Sequence, residues 1–142
     1  MTRDEFTQAF IAKARAAIGA RWVHQGRNPA YGVDCAGLAV WAARECGVDV
    51  KDQLSYTKQP EAHILLGLLD QQCDRMPLAD MKPGDVLVLQ YENNPQHLVI
   101  LTDDAPLTIC HAAMNQRRVC ETLLAPDMQA RVRYVFRFKG FE

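Results

Sequence analysis

Tyr31-Gly32-Val33-Asp34-Cys35-Ala36-Gly37-Leu38 is the stretch on which the reading of this chain turns. A turn signal (Asn28, Pro29, Gly32) precedes it. A run with helical spacing follows, Leu38, Trp41, Ala42 and Cys46, stopped by Gly47. The pattern predicts a helix with Asp34 as N-cap and Cys35 as its first residue. A cysteine there faces orphan backbone N–H groups and the positive end of the helix dipole. Both favour thiolate over thiol, and the thiolate is the nucleophile. Ala36 and Gly37 are small, which leaves room for a substrate backbone near the sulfur. The plainer reading is a buried structural cysteine, the default for a lone Cys, and Cys35 alone does not displace it.

Upstream, residues 2–18 read as a helix. Thr2-x-x-Glu5 fits a capping box, Phe6, Phe10, Ala14, Ala17 and Ile18 form an apolar stripe, and Gly19 ends it. Residues 20–33 read as a loop carrying Trp22, His24 and Arg27. Trp22 is most simply a core anchor, and His24 and Arg27 solvated, yet the loop runs straight into Cys35 and places all three where they can line a site. Downstream, residues 48–60 are polar and irregular, with Tyr56 and Pro60. Residues 61–72 read as a third helix burying Ile64, Leu65, Leu68 and Leu69, with His63 off that face.

After Pro77 the hydrophobic period changes. Strands are predicted at 86–91, 97–102, 107–112, 119–122 and 131–139, separated by turns at Lys82-Pro83-Gly84-Asp85, Asn93-Asn94-Pro95 and Asp103-Asp104-Ala105-Pro106. The first is continuously apolar. The last alternates Val132, Tyr134, Phe136 and Phe138 with basic residues, which predicts one packed face and one wet face. Helices first and an antiparallel sheet of about five strands afterwards make an α+β domain, expected to span residues 1–142 as a single unit.

A turn centred on Asp104 would pair His97 directly with His111 on one face of a hairpin, with Cβ atoms roughly 4.5–5.5 Å apart. Two imidazoles so placed can share a hydrogen bond, one taking a proton from a thiol while the other holds its tautomer. Cys35, His97 and His111 then form a nucleophile, base and orienter. Each histidine alone is more simply a strand residue with solvent or a backbone partner. The chemical rival is a Cys-His-His zinc site; it lacks an obvious fourth ligand, so no metal or cofactor is expected.

With 142 residues, 49% hydrophobic, the chain is long enough for one cored domain. A net charge of -1 gives no reason to expect nucleic acid or an anionic membrane as partner. Five cysteines without a CxxC pair argue for a reducing compartment rather than a disulfide framework. No signal peptide and no membrane span are legible.

Four segments, Gly32-Val33-Asp34-Cys35-Ala36-Gly37-Leu38, Lys82-Pro83-Gly84-Asp85-Val86-Leu87, His97-Leu98-Val99-Ile100-Leu101 and Ile109-Cys110-His111-Ala112, occur in an order that resembles the NlpC family of papain-like cell-wall cysteine peptidases. The resemblance implies a papain-like NlpC fold, with Cys35 as nucleophile, His97 as general base and His111 as orienter. It also implies an oxyanion and substrate-binding set of Trp22, His24, Asp34 and Ala36. Many members carry a tyrosine where this chain has Trp22, and often a serine at Ala36. The Trp22-x-His24-Gln25-Gly26-Arg27 loop, Tyr56-x-x-Gln59-Pro60 and the end Phe136-Arg137-Phe138-Lys139-Gly140 are similar to short members from tailed phages and gene transfer agents.

The expected function is a peptidoglycan endopeptidase cutting peptide stems. Synthesis in the cytoplasm and delivery in a virion tail tip, among tail tip or hub proteins, would bring it to the periplasm or cell wall. A type VI secretion amidase effector and a structural tail-tip or hub protein with a vestigial site are the competing readings.

Overall fold

Thr2 caps the first helix. α1 spans Arg3–Ala16, the Glu5 N–H donates to Thr2 Oγ1 at 3.1 Å, and the Thr2 N–H donates to Glu5 Oε1 at 2.8 Å. These two bonds satisfy orphan donors reciprocally. The structure, a computed structural model, describes residues 1–52, 62–91 and 94–141, with backbone alone at 62–64 and 94–96. Tyr56, Gln59, Pro60, Glu61 and Asn93, and the side chain of His63, lie outside the described residues.

The segment expected to be loop contains a small antiparallel ribbon, β1 (Arg27–Asn28) against β2 (Gly32–Val33). It delivers the chain to α2 (Cys35–Glu45), whose N-cap is Asp34, with Gly47 at φ 89° just past its end. α3 spans Ala62–Asp70 and buries Leu65, Leu68 and Leu69. Among the described residues no helix is long and apolar enough to cross a membrane.

The remaining elements are β3 (Cys73–Met76), β4 (Val86–Tyr91), β5 (Asn94–Asp104), β6 (Leu107–Ala113), β7 (Arg118–Leu123), the four-residue α4 (Pro126–Gln129) and β8 (Val132–Phe138). They build a six-stranded antiparallel sheet in the order β3-β8-β4-β5-β6-β7. The sheet therefore has six strands rather than about five. β3 escapes the sequence reading because Cys-Asp-Arg-Met has neither alternation nor an apolar run.

β4 is apolar over Val86–Leu89 because both its faces are covered there. Val86 and Val88 join the core under the helices with Phe6, Phe10 and Leu38, while Leu87 and Leu89 join a second cluster with Val99, Leu101 and Ile109. β8 departs from the expected clean alternation. Its register against β4 shifts between Val88 and Leu89, so Tyr134 faces Val88 and Val132 faces Leu89. The bulge turns Val132 to the second cluster, away from Phe136 and Phe138. Nor is the other face wet, since Val135 is buried there and Arg137 forks onto the buried Asp85 with two bonds of 2.8 Å.

The edge of the sheet at β7 is occupied by the chain just after α1. Gly19 N–H donates to Val119 O, Val119 N–H to Ala20 O and Trp22 N–H to Arg117 O, at 2.9, 2.8 and 2.9 Å.

Candidate active site

Asp34 fixes the start of α2 and with it Cys35. The carboxylate is 3% exposed and accepts from Gly37 N–H at 2.7 Å, the N-cap bond, and from Gln25 N–H at 2.9 Å. Arg27 then ties the cap to the preceding ribbon. Its guanidinium donates to Asp34 Oδ1 at 3.0 Å and to both oxygens of Asp52 at 2.6 and 3.1 Å. Arg27 is therefore not the solvated residue of the plainer reading, but the clamp between the loop and the helix end.

Gly37 is needed for a different reason from the one its size suggested. A Cβ on Gly37 would lie 1.8 Å from the Gly26 carbonyl oxygen, and one on Gly26 would lie 2.2 Å from that of Gly32. The space beside α2 is filled by the chain's own loop, not left for a substrate.

Cys35, His97 and His111 line one cleft of about 870 Å³, together with Trp22, Asp34 and Ala36. His97 Nε2 and His111 Nδ1 are 2.7 Å apart, with ring centroids at 5.0 Å and planes at 66°. The two are brought together without being direct partners. β5 and β6 pair Ile100 with Cys110 and Leu101 with Ile109, two residues away from the pairing that a turn at Asp104 would give. An even displacement keeps both side chains on one face, so they meet diagonally.

The bond engages Nε2 and leaves Nδ1 as the other nitrogen of His97. For Nδ1 to accept a proton from a thiol, Nε2 must carry the hydrogen and donate it to His111, which sets the tautomer of both rings.

Burial governs the charges. Desolvation pushes the Cys35 thiol up to about 11, and the Asp34 carboxylate pushes the same way; the backbone N–H groups of Leu98 and Ala36 and the Arg27 charge pull it back only in part. Desolvation, then the neighbouring His111, pushes His97 down to about 3. Burial also lowers His111, which is 7% exposed. The resting pair is thus a neutral thiol and a neutral imidazole. This corrects the expectation that the helix start alone favours thiolate: the desolvation of a buried charge outweighs the dipole here.

Trp22 is half-buried on the cleft wall, and its indole N–H has no partner among the described residues. His24 is not part of that wall and stands behind Trp22, ring centroids 6.5 Å apart and planes at 21°. Two features were missed in the sequence. Tyr91 meets His97 edge-on, centroids 6.4 Å apart, and the tip of the β6–β7 hairpin forms one wall of the cleft. Tyr91 read only as a strand end, and the hairpin tip as a gap between strands. Among the described residues no three His, Cys, Asp or Glu side chains converge as a metal site.

Solved structures share this architecture. An NLP/P60 family protein of Staphylococcus aureus, described as similar to lipoprotein, superposes with a TM-score of 0.72 at 17% identity, covering 96% of this chain and 42% of its own. The NlpC/p60 domain of the peptidoglycan hydrolase SagA gives 0.66 at 18% identity, covering 91% and 96%. The peptidoglycan hydrolase RipB of Mycobacterium tuberculosis gives 0.68 at 15%, covering 97% and 67%. The chain thus spans less than half of the staphylococcal protein and almost the whole of the SagA domain. Likeness at these identities is one of fold. A search of curated protein sequences gave no match. The profile of the NlpC/P60 family, in contrast, matches residues 19–137, and with most of its length so covered the chain belongs to the NlpC/P60 family.

Proposed function

We propose that the protein is a cysteine endopeptidase acting on the peptide stems of peptidoglycan. The observation that carries this reading is the cleft that the helix-start Cys35 shares with a hydrogen-bonded His97–His111 pair. The membership of the family and the description of SagA and RipB as peptidoglycan hydrolases supply the substrate class.

In the proposed reaction, His97 Nδ1 takes the Cys35 proton as the sulfur attacks the scissile carbonyl. The imidazolium so formed is stabilised by its bond to His111. The oxyanion is held by the Cys35 backbone N–H, with the Trp22 indole N–H as candidate second donor. His97 then returns the proton to the leaving amine, leaving an acyl-enzyme, and a water activated by the same imidazole releases the acid and restores the thiol.

Delivery in a phage or gene-transfer-agent tail tip belongs to the same proposal and rests on sequence alone. The Trp22-x-His24-Gln25-Gly26-Arg27 loop and the Phe136-Arg137-Phe138-Lys139-Gly140 end support it.

The test is incubation of the purified protein with defined muropeptides, read by mass spectrometry. Stem cleavage by the wild type and none by Cys35→Ala is the expected result. Intact stems in both would favour a vestigial site, and immunodetection in purified particles separates tail-tip delivery from secretion.

A further inference from the structure

Among the described residues, four formally charged side chains line the cleft: Asp34, Arg117, Arg118 and Glu121. Both carboxylates are already engaged. Arg27 holds Asp34 at 3.0 Å, and Arg15 Nε donates to Glu121 Oε2 at 2.9 Å, where the Thr102 hydroxyl also donates at 2.7 Å. Arg117 and Arg118 are exposed and have no carboxylate partner among the described residues. The uncompensated charge of the cleft is therefore that of two arginines, consecutive in the chain at the tip of the β6–β7 hairpin.

The backbone at this tip is unusual for the residue it carries. Arg117 has φ 59°, in the left-handed region, closing a turn in which its N–H donates to Met114 O at 3.2 Å. Glycine or asparagine is the residue such a position favours. An arginine there carries backbone strain, and such strain gathers at ligand-binding sites. The tip is also held still, because the Arg117 carbonyl accepts from Trp22 N–H across the cleft wall at 2.9 Å.

The register places Arg118 near the histidine pair. His111 pairs with Cys120 across β6 and β7. Arg118 lies two residues from Cys120 along the same strand and on the same face, about 7 Å from it at strand rise. That is the span of two residues of an extended peptide.

We propose that Arg117 and Arg118 form a carboxylate-binding subsite, holding a free carboxylate of the bound stem next to the scissile bond. The proposal rests on the reading of the cleft as a stem-peptide site. Guanidinium groups suit the task because their planar forks bind a carboxylate through paired N–H bonds. Two parts of a stem can supply the group: the α-carboxylate of D-glutamate, and the carboxylate of diaminopimelate that is outside the peptide linkage. A stem amidated at the former, or carrying lysine in place of the latter, lacks it.

The experiment measures binding apart from cleavage. Protein with Cys35→Ala is titrated calorimetrically with four synthetic stems, combining D-glutamate or D-isoglutamine with diaminopimelate or lysine. Free-carboxylate stems should bind about tenfold more tightly than their neutral counterparts, as a charge-assisted pair implies. Adding Arg117→Gln and Arg118→Gln should bring that ratio close to one, and the arm in which it collapses identifies the carboxylate. Arg117→Gly is the control for folding: it should melt no lower than the parent and still lose discrimination. Equal affinity for all four stems, no binding of any, or an unchanged preference in the double variant would each overturn the subsite. Cleavage by protein with Cys35 intact is scored separately. Discrimination without cleavage would sink the peptidase reading and keep the subsite; cleavage without discrimination would do the reverse.

Discussion

His97 and His111 share a 2.7 Å hydrogen bond although neither is the other's cross-strand partner. The bond uses Nε2 of one ring and Nδ1 of the other, which leaves His97 Nδ1 and His111 Nε2 as the remaining nitrogens. In the proposed mechanism the roles are unequal: His97 Nδ1 serves the thiol, and His111 acts through His97.

That inequality predicts unequal losses. His97→Ala should lower single-turnover muropeptide hydrolysis by about 10³-fold or more, the upper range for a lost acid–base group. His111→Gln should cost only about 10²-fold, the scale of a misplaced catalytic group, since its amide oxygen can still accept the His97 N–H. If His111→Gln is dead while His97→Ala still turns over, the two roles are exchanged.

Alkylation should report the neutral resting pair. Because the Cys35 thiol is raised to about 11, its iodoacetamide rate depends on His97 accepting the proton. His97→Ala should slow labelling of Cys35 severalfold and leave the partly buried Cys46 and Cys120 unchanged, with Cys73 and Cys110, pushed up to about 12 by burial, unreactive. Peptide mapping by mass spectrometry distinguishes the five. Identical Cys35 rates with and without His97 would dissociate the two residues.

Stability should fall at both ends of the pH scale. Between about 6.5 and about 3 the unfolded chain binds a proton at His97 that the folded protein refuses, so acidification through this window favours unfolding. Between 9.0 and about 11 the folded protein retains a Cys35 proton that the unfolded chain has lost, so alkalinisation also favours unfolding. His97→Gln should flatten the acid limb and Cys35→Ala the alkaline one in urea melts. An acid limb of unchanged slope in His97→Gln would refute the assignment.

Gly37→Ala offers a test of the loop clamp by its sign. Within a helix, glycine to alanine ordinarily gains about 1 kcal/mol. Here the new Cβ would meet the Gly26 carbonyl oxygen, and backbone on both sides limits relief. A loss of about 2 kcal/mol is expected, in the range for overpacking. A rise in melting temperature would mean that the loop swings away freely.

The sequence was most legible where one local rule decided the outcome. Asp34 before an apolar helical run marked the start of α2 to the residue, and the unbroken Val86-Leu87-Val88-Leu89 run marked a strand covered on both faces. It was least legible where a bulge intervened. At the tip of the β5–β6 hairpin, Asp104 pairs with Leu107 and Asp103 with Thr108; past the extra residue Thr102, Leu101 pairs with Ile109. Had the tip register run on unbroken, Ile100 would face His111, and the two histidines would stand on opposite faces. No turn rule reveals Thr102 as the residue that restores them to one side. Desolvation was equally hidden, because the burial that dominates the shifts of Cys35 and His97 is a product of the whole fold.

The strip of chain from Gly19 to Trp22 has a second consequence through its bonds to β7. An outer strand with bare N–H and C=O groups is a template on which another polypeptide can add, the usual start of aggregation. Here the template is already taken by the segment that carries Trp22 to the cleft. The same backbone that shapes one wall of the cleft thus closes the β7 edge to self-association, and a substitution that frees this strip should reduce solubility along with activity.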